Sequence, residues 1–262
     1  MTSTTVIVGA GDFGMRLASL RAQAGDSVIC LRRRSVPMPE GVQAVAGDLF
    51  DEKSYAGIAS APDWLVYCAT PDTRTESSYR RVYIEGLALA QALLLPKRTL
   101  LISSTAVYAQ NAGEWVDADS PAEADTFNGS VLREAEQHCL QSPSNRVLRL
   151  SGLCGPGRTQ LVRKALLGEG LANVWTNRIH IYDAASAASH LLSRPDTDLI
   201  WVASDDLPSL QLDVVNWIRE RHQLPALPAF RGMASGRKVS NAKLKAAGWL
   251  PQYPSYREIY GF

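Results

Sequence analysis

Residues 6–14 of the chain read Val6-Ile7-Val8-Gly9-Ala10-Gly11-Asp12-Phe13-Gly14. An apolar, β-branched run typical of a buried strand breaks into three glycines with the spacing G-x-G-x-x-G. After the glycines, the apolar residues recur at helical spacing, at Phe13, Leu17, Leu20 and Ala24. The segment therefore predicts a strand, a tight turn and a helix in direct succession.

Each glycine of this motif has its own physical role. Gly9 permits the tight turn, Gly11 lets the backbone approach a pyrophosphate, and Gly14 lets the helix pack closely on the strand. The helix N-terminus adds unpaired N–H groups and the positive end of a dipole. We therefore expect a dinucleotide site that includes Asp12 and Phe13 with the three glycines. The alternative is a glycine-rich turn that binds nothing.

Composition and charge exclude several other classes of protein. The 262 residues are 46% hydrophobic and 20% charged, with a formal net charge of +1, so nothing in the charge favours a nucleic-acid or membrane partner. The longest apolar stretch, 87–95, is too short to span a bilayer. The four cysteines and four histidines lack metal-ligand spacing, so we expect no metal site. Without a secretory signal pattern, we expect a cytoplasmic protein.

Strand-like and helix-like segments alternate along the chain. The predicted strands are Thr5–Val8, Ser27–Leu31, Val42–Val45, Trp64–Cys68, Thr99–Ile102, Arg146–Leu150, Arg178–Asp183 and Leu199–Ala203. The predicted helices are Phe13–Ala24, Asp51–Ile58, Ser77–Leu95, Val131–Gln141, Leu161–Leu167, Ala184–Leu192 and Leu212–Arg221. Such alternation is typical of right-handed βαβ units. We predict an α/β doubly wound parallel sheet (Rossmann fold) over 1–155, and a small C-terminal substrate lobe over 156–262 that is interleaved with the last strands.

The end of the second predicted strand indicates which dinucleotide binds. An acid at this point bonds the ribose hydroxyls of NAD, whereas a cation pairs with the 2′-phosphate of NADP. Here Arg32-Arg33-Arg34 follow the strand, and no acid occurs from Ser27 through Pro39. We predict NADP held by Arg32 and Arg33, with NAD less favoured, and the missing acid also disfavours FAD and S-adenosylmethionine. A solvated basic loop is the other interpretation.

Two further strand ends supply candidate cofactor contacts. Asp48 and Leu49 follow the third strand, where Asp48 can accept a hydrogen bond from an adenine amino group and Leu49 can cover the ring. A turn or cap role explains Asp48 equally well. Ala69 and Thr70 follow the fourth strand, and their small size lets the backbone approach the cofactor. Simple strand termination is the alternative.

Taken together, the motifs resemble the short-chain dehydrogenase/reductase superfamily. The segments that carry the resemblance are Gly9–Gly14, Gly47-Asp48-Leu49, Ser103-Ser104-Thr105-Ala106-Val107-Tyr108, Arg149–Gly157 and Arg178–Asp183. They are similar to those of the extended or atypical branch of that superfamily, the NAD-dependent epimerase/dehydratase family. The resemblance implies a Rossmann fold, a nicotinamide cofactor and a small-molecule substrate, often a nucleotide sugar. It also implies a substrate cleft bounded by C-terminal segments that contain Arg158, Arg178 and Arg237, although three surface arginines need no ligand.

The catalytic residues of that family are only partly present. In the family a Ser binds the reacting oxygen, a Tyr transfers its proton, and a Lys four residues later lowers the Tyr pKa; the resemblance places the Ser at Ser104. Where the Tyr is expected, the chain has Phe127. No tyrosine occurs from Ala109 through Ile181 and no lysine from Arg98 through Arg163. The usual proton relay is therefore absent.

Other residues are candidates to replace the missing pair. Tyr108 carries the nearest phenol to Ser104, Arg133 can supply positive charge, and Asp125 or Asp183 can act as a base if buried. Packing, a solvated helix face and turn capping are the respective alternatives.

Two functions remain open from the sequence alone. The first is an NAD(P)-dependent oxidoreductase or epimerase/dehydratase-like enzyme that acts on a carbonyl or hydroxyl, with Ser104 and Tyr108 as catalytic candidates. The second is a catalytically degenerate NADP(H)-binding sensor. The predicted helix Ser77–Leu95 has a wide apolar face, which either covers the sheet or forms a homodimer, so monomer and homodimer both remain open.

Overall fold

The computed structural model describes residues 2–195 and 198–261. The strands are β1 (Thr4–Val8), β2 (Ser27–Arg32), β3 (Val42–Ala46), β4 (Trp64–Tyr67), β5 (Thr99–Ser104), β6 (Ala112–Val116), β7 (Arg146–Leu150), β8 (Gly152–Cys154), β9 (Trp175–Thr176), β10 (Arg178–His180), β11 (Ile200–Ala203), β12 (Ser209–Leu210) and β13 (Gly236–Val239). The α-helices are α1 (Asp12–Gln23), α2 (Glu76–Arg80), α3 (Leu87–Leu94), α4 (Phe127–Cys139), α5 (Gln160–Leu167), α6 (Ile181–Leu192), α7 (Gln211–Arg221), α8 (Ala242–Ala246) and α9 (Tyr256–Ile259).

A central sheet forms the core of the fold. Within the described residues it has seven strands in the order β11-β7-β5-β4-β1-β2-β3. The parallel register pairs Val8 with both Leu31 and Tyr67, so β1, β2 and β4 end at the same edge. The central strands are almost completely buried because Val, Ile and Leu face helices on both sides. The predicted doubly wound parallel sheet is confirmed.

The long helix predicted over Ser77–Leu95 is present but contains a π-helical segment. Arg81–Gly86 winds with the wider turn between α2 and α3. The hydroxyl of Tyr67 donates a hydrogen bond to the carbonyl of Val82 at 2.6 Å. This bond competes with a helical backbone amide for the same carbonyl oxygen. A Cβ on Gly86 would overlap the Tyr67 hydroxyl, so this glycine lets the helix approach β4. Such π segments are frequent at functional sites.

Three predicted elements are wrong in extent. The helix predicted over Asp51–Ile58 is only a 3₁₀ turn, Glu52–Tyr55. The strand predicted over Arg178–Asp183 ends at His180, and α6 begins at Ile181, so Asp183 lies in the first helical turn rather than at a strand end. The helix predicted from Val131 begins at Phe127, because Gly129 and Ser130 do not prevent helix formation there.

The chain divides into two compact units. The first contains Met1–Tyr108, Ala122–Arg149 and Ala185–Trp201, and the second contains Ala109–Pro121, Leu150–Ala184 and Val202–Phe262. The second unit has three small two-stranded pairings, β10 with β8, β12 with β9 and β13 with β6. Its α5 and α7 pack around Ala165, Val214, Val215 and Ile218. In the described part of the chain, no helix is long and apolar enough to cross a membrane.

Candidate active site

The glycine motif forms the turn between β1 and α1. Gly9 has φ +86°, and a Cβ there would overlap the backbone of Ala69. The amides of Gly9 and Ala10 both donate to the Leu31 carbonyl, at 3.1 and 3.3 Å, which ties the turn to the end of β2. A Cβ on Gly14 would lie 3.2 Å from both Cys68 Sγ and Ile7 Cγ2. Gly9 and Gly14 therefore allow close packing of turn and helix on the sheet.

Gly11 differs from these two glycines because it faces open space. Its φ is −77°, and the nearest atom to an added Cβ would be the Gly9 carbonyl oxygen at 3.9 Å. Gly11 is the N-cap of α1 and provides no side chain to bond the first helical amides. An uncapped helix N-terminus beside open space is a suitable site for an anion. The geometry fits a pyrophosphate at this position.

A cleft of about 370 Å³ opens at this edge of the sheet, within the usual range for small-molecule sites. Its walls come from 9–11, 31–34, 47–50, 69–70, Asp72 and Val82. Eight of the predicted cofactor residues line it: Gly9, Gly11, Arg32, Arg33, Asp48, Leu49, Ala69 and Thr70. The remaining three predicted residues lie outside its walls. Asp12 pairs with Arg16 at 2.9 Å, and Phe13 and Gly14 are buried.

The arginines at the end of β2 occupy one wall of the cleft. The Nε of Arg32 is buried and has no hydrogen-bond partner. Arg33 makes a two-pronged ion pair with Asp72, at 2.5 and 2.7 Å, and this contact lowers the Asp72 pKa below its ordinary value. An unsatisfied buried donor is costly in the free protein, and this one belongs to a residue that lines the cleft.

The loop after β3 forms the adjoining part of the cleft lining, and its Gly47 amide donates to the Arg32 carbonyl at 2.9 Å. Asp48 Oδ1 accepts from the Phe50 amide at 2.9 Å, which is the turn role that the sequence left open. The Tyr55 hydroxyl donates to the Leu49 carbonyl at 2.8 Å and fixes the loop. The guanidinium of Arg81 lies 4.2 Å from the centre of the Phe50 ring. This loop therefore contributes the apolar residues Leu49 and Phe50 and the Asp48 carboxylate to the cleft lining.

The serines at the end of β5 have different environments. Ser103 is buried and donates to Glu136 Oε1 at 2.6 Å. Ser104 is half-buried, and its Oγ accepts from the Ala106 amide at 3.2 Å. Because this bond uses the oxygen as acceptor, the hydroxyl proton of Ser104 can be donated to a substrate oxygen.

Tyr108 belongs to a buried polar cluster rather than to the cleft. Arg149 donates to the Tyr108 hydroxyl at 3.0 Å and grips Glu136 through Nε at 3.0 Å and Nη2 at 2.7 Å. Tyr108 and Arg149 are each 1% exposed, and Glu136 is 0% exposed. This placement favours the packing alternative for Tyr108. The sequence carries a signal for Glu136, since an acid stands on the buried stripe of α4 with Leu132 and Cys139.

The other candidate replacements lie in three different environments. Arg133 has Nη1 3.7 Å from Glu136 Oε2 and is one-third exposed. Asp125 is exposed in the segment before α4. In the second unit, Asp183 accepts from the amides of Gln252 and Tyr253 at 2.8 and 2.9 Å, although burial raises its pKa. Asp183 thus ties together two segments of its own unit.

Arg178, one of three arginines considered for an anionic substrate, is buried in the second unit. Its Nη1 lies 3.3 Å from Asp205 Oδ2, and Asp205 is 1% exposed. Arg237 donates to the Gln110 carbonyl at 2.7 Å. Both arginines therefore have internal partners that stabilise the unit.

The buried Asp205 gives this unit an expected pH dependence. Burial raises the pKa of Asp205 to about 7, above the value of about 4 in an unfolded chain. Between these two values the folded state holds a proton that the unfolded state has lost, so this contribution to stability declines as the pH rises from about 4 to about 7. Urea unfolding at a series of pH values should show this decline for the wild type relative to Asp205→Asn. A flat difference curve would contradict it.

The fold and the cleft define a dinucleotide-binding α/β protein, and the comparisons with known proteins agree. No protein-family model matches the chain, and no curated protein sequence does. A solved structure from Methylobacillus flagellatus, of a protein described only by its assignment to the NAD-dependent epimerase/dehydratases, is 34% identical, with a TM-score of 0.87, over 100% of this chain and 97% of that one. The chain therefore belongs to the NAD-dependent epimerase/dehydratase family, in the extended branch of the short-chain dehydrogenases/reductases. The resemblance inferred from its motifs is confirmed.

More distant structures share the fold. MoeE5, solved in complex with UDP-glucuronic acid and NAD, is 18% identical with a TM-score of 0.82, over 99% of this chain and 97% of that one. The enzyme WbmG of Bordetella bronchiseptica, solved in complex with NAD, is 17% identical with a TM-score of 0.78, over 100% of this chain and 93% of that one.

Proposed function

We propose that the protein is an NADP(H)-dependent oxidoreductase or epimerase/dehydratase that acts on a carbonyl or hydroxyl group of a small molecule. The main support for this proposal is the buried, unpartnered Nε of Arg32, a residue of the cleft that the glycine turn also lines. Three guanidiniums, Arg32–Arg34, and two carboxylates, Asp48 and Asp72, line this cleft. The arginines at the end of β2 are thus suited to a phosphate dianion.

Different residues along the cleft would bind different parts of the cofactor. Gly11 and the start of α1 would hold the pyrophosphate, Arg32 and Arg33 the 2′-phosphate, and Leu49 the adenine ring. When bound, the nicotinamide ring supplies or accepts a hydride. Ser104 would donate a hydrogen bond to the reacting oxygen and so orient it.

A nucleotide sugar is the substrate class that the relatives favour. MoeE5 was solved with UDP-glucuronic acid and NAD, and WbmG was also solved with NAD and UDP. Both complexes contain NAD, so the NADP preference proposed here rests on the arginines of this chain alone.

Calorimetric titration with NADPH and NADH tests the cofactor assignment. Because hydrogen bonds to a charged group contribute about 1.5–3 kcal/mol each, NADPH should bind at least about tenfold more tightly than NADH. Arg32→Ala/Arg33→Ala should abolish this preference, whereas Arg231→Ala in the second unit should keep it. Equal wild-type affinities for the two cofactors would refute the assignment.

The ion pair of Arg33 gives a second expected result. Asp72→Asn frees Arg33 from an exposed ion pair worth about 1 kcal/mol or less and should tighten NADPH binding up to about fivefold.

A sensor that binds NADP(H) without catalysis is the second candidate function, and the replacement of the family's Tyr by Phe127 favours it. NADPH oxidation in the presence of carbonyl compounds and sugar nucleotides separates the two functions. The enzyme should turn over at least one of these compounds, and Ser104→Ala should slow that turnover. A sensor should bind NADPH and consume none of it.

A further inference from the structure

The first unit contains one tyrosine whose environment differs from the others. Among its described residues, Tyr55, Tyr67, Tyr83 and Tyr108 are all buried. Three of their hydroxyls are bonded to protein groups, namely the Leu49 carbonyl, the Val82 carbonyl and Arg149. Burial also raises the pKa of Tyr83 well above its ordinary value. Tyr79 is only half-buried, so its phenol is the most accessible of the five.

Tyr79 lies beside the position where the family's proton-transferring Tyr is expected. Its ring meets the edge of the Phe127 ring with 5.5 Å between centroids and 82° between planes. Phe127 is 37% exposed at the first turn of α4. The two rings therefore share one partly open site, and Tyr79 supplies the hydroxyl that Phe127 lacks.

The helix that carries Tyr79 also lines the cleft. Val82 forms part of the cleft wall, and Tyr79 lies three residues before it, in α2, next to the start of the π segment. Tyr79 is about one turn closer than Val82 to the N-terminal end of that helix. A helix that follows a parallel strand starts at the edge of the sheet where ligands bind. Tyr79 thus lies beyond Val82 in the direction of the strand ends.

Ser104 is connected to the N-terminal end of α4 through Ala106. A Cβ on Gly129, in the first turn of α4, would overlap the Ala106 carbonyl oxygen. The amide of Ala106 donates to Ser104 Oγ at 3.2 Å. The start of α4 is therefore packed directly on the turn that Ser104 caps, with Phe127 and Tyr79 alongside.

We propose that Tyr79 faces the nicotinamide end of the cleft and supplies the proton for the reaction, an inference that rests on the proposed function. In the reducing direction a carbonyl carbon gains a hydride with its electron pair from NADPH, which becomes NADP⁺. The carbonyl oxygen gains the Tyr79 hydroxyl proton, which forms the alcohol. The tyrosinate recovers a proton from solvent, and the reverse sequence oxidises an alcohol.

Fluorine NMR of protein containing 3-fluorotyrosine tests the position of Tyr79. The signal of Tyr79 is assigned by its loss in Tyr79→Phe. We expect NADP⁺ to shift this signal and 2′-phospho-ADP-ribose, which lacks only the nicotinamide ring, to leave it in place. Binding of both ligands with no shift, or with the same shift, would overturn the inference and spare the proposed function. Failure of NADP⁺ to bind by calorimetry would overturn both.

Turnover tests the proton transfer itself. With a substrate from the carbonyl and sugar-nucleotide panel, Tyr79→Phe should lower kcat by about 100-fold or more, as loss of a general acid does, without changing the Kd of NADPH. The neighbouring Tyr83→Phe should keep the wild-type kcat. Equal kcat in Tyr79→Phe and the wild type would overturn the role, as would a wild-type protein that binds NADPH and turns over nothing.

Discussion

Replacing Glu136 with alanine should destabilise the protein by about 3–5 kcal/mol. The variant leaves Arg149 with its charge buried at 1% exposure and without the carboxylate that accepts two of its hydrogen bonds. It also leaves Ser103 without its acceptor. The free energy of unfolding, measured by urea denaturation with circular dichroism, should therefore fall by a large fraction of the total stability.

Two variants make this expectation specific. Glu134 lies on the same helix and pairs with Arg80 at 2.8 Å, but each side chain is 45% exposed, so Glu134→Ala should cost about 1 kcal/mol or less. Replacing both charges, Glu136→Met with Arg149→Met, should recover much of the loss, because no unpaired charge remains buried. Similar losses in Glu134→Ala and Glu136→Ala would show that the buried pair does not stabilise the fold.

The parts of this structure that sequence predicts well are local. The turn at Gly9 and the helix after it follow from neighbouring residues, since a positive φ and a close backbone contact both require glycine. The strand order near β1 follows from the right-handed crossover rule. The sequence predicts the eight cleft-lining residues because strand ends in a parallel sheet meet at one edge.

The features that sequence did not reveal depend on distant partners. β6 and β13 pair in parallel although Trp115 and Lys238 are far apart in the chain, and neither segment has a strong strand pattern. In the π segment before α3, the Val82 carbonyl accepts from the hydroxyl of Tyr67 in β4. Asp72 closes an ion pair with Arg33 across the cleft, and nothing in the spacing of the two residues indicates it.

The first two glycines of the motif provide the second large expected effect. Substitution of Gly9 should mainly lower the stability, and substitution of Gly11 should mainly lower the affinity for NADPH. Gly9→Ala places a Cβ against the backbone of Ala69 at φ +86°, where strain and overpacking together should cost about 3 kcal/mol or more. Gly11→Ala adds a methyl to open space at φ −77° and should cost about 1 kcal/mol or less. Thermal and urea unfolding should therefore separate the two variants clearly.

The two variants should differ in the opposite order in NADPH binding. Among folded molecules, Gly11→Ala should lose more affinity for NADPH than Gly9→Ala. The methyl of Gly11→Ala occupies the space where the backbone approaches the pyrophosphate, so we expect the Kd of NADPH to rise at least about tenfold with the stability nearly unchanged. Gly9→Ala should bind NADPH in proportion to its folded fraction, because its methyl points at Ala69 and not into the cleft. Wild-type affinity in Gly11→Ala would place the pyrophosphate elsewhere, since no phosphate group could then lie against that turn.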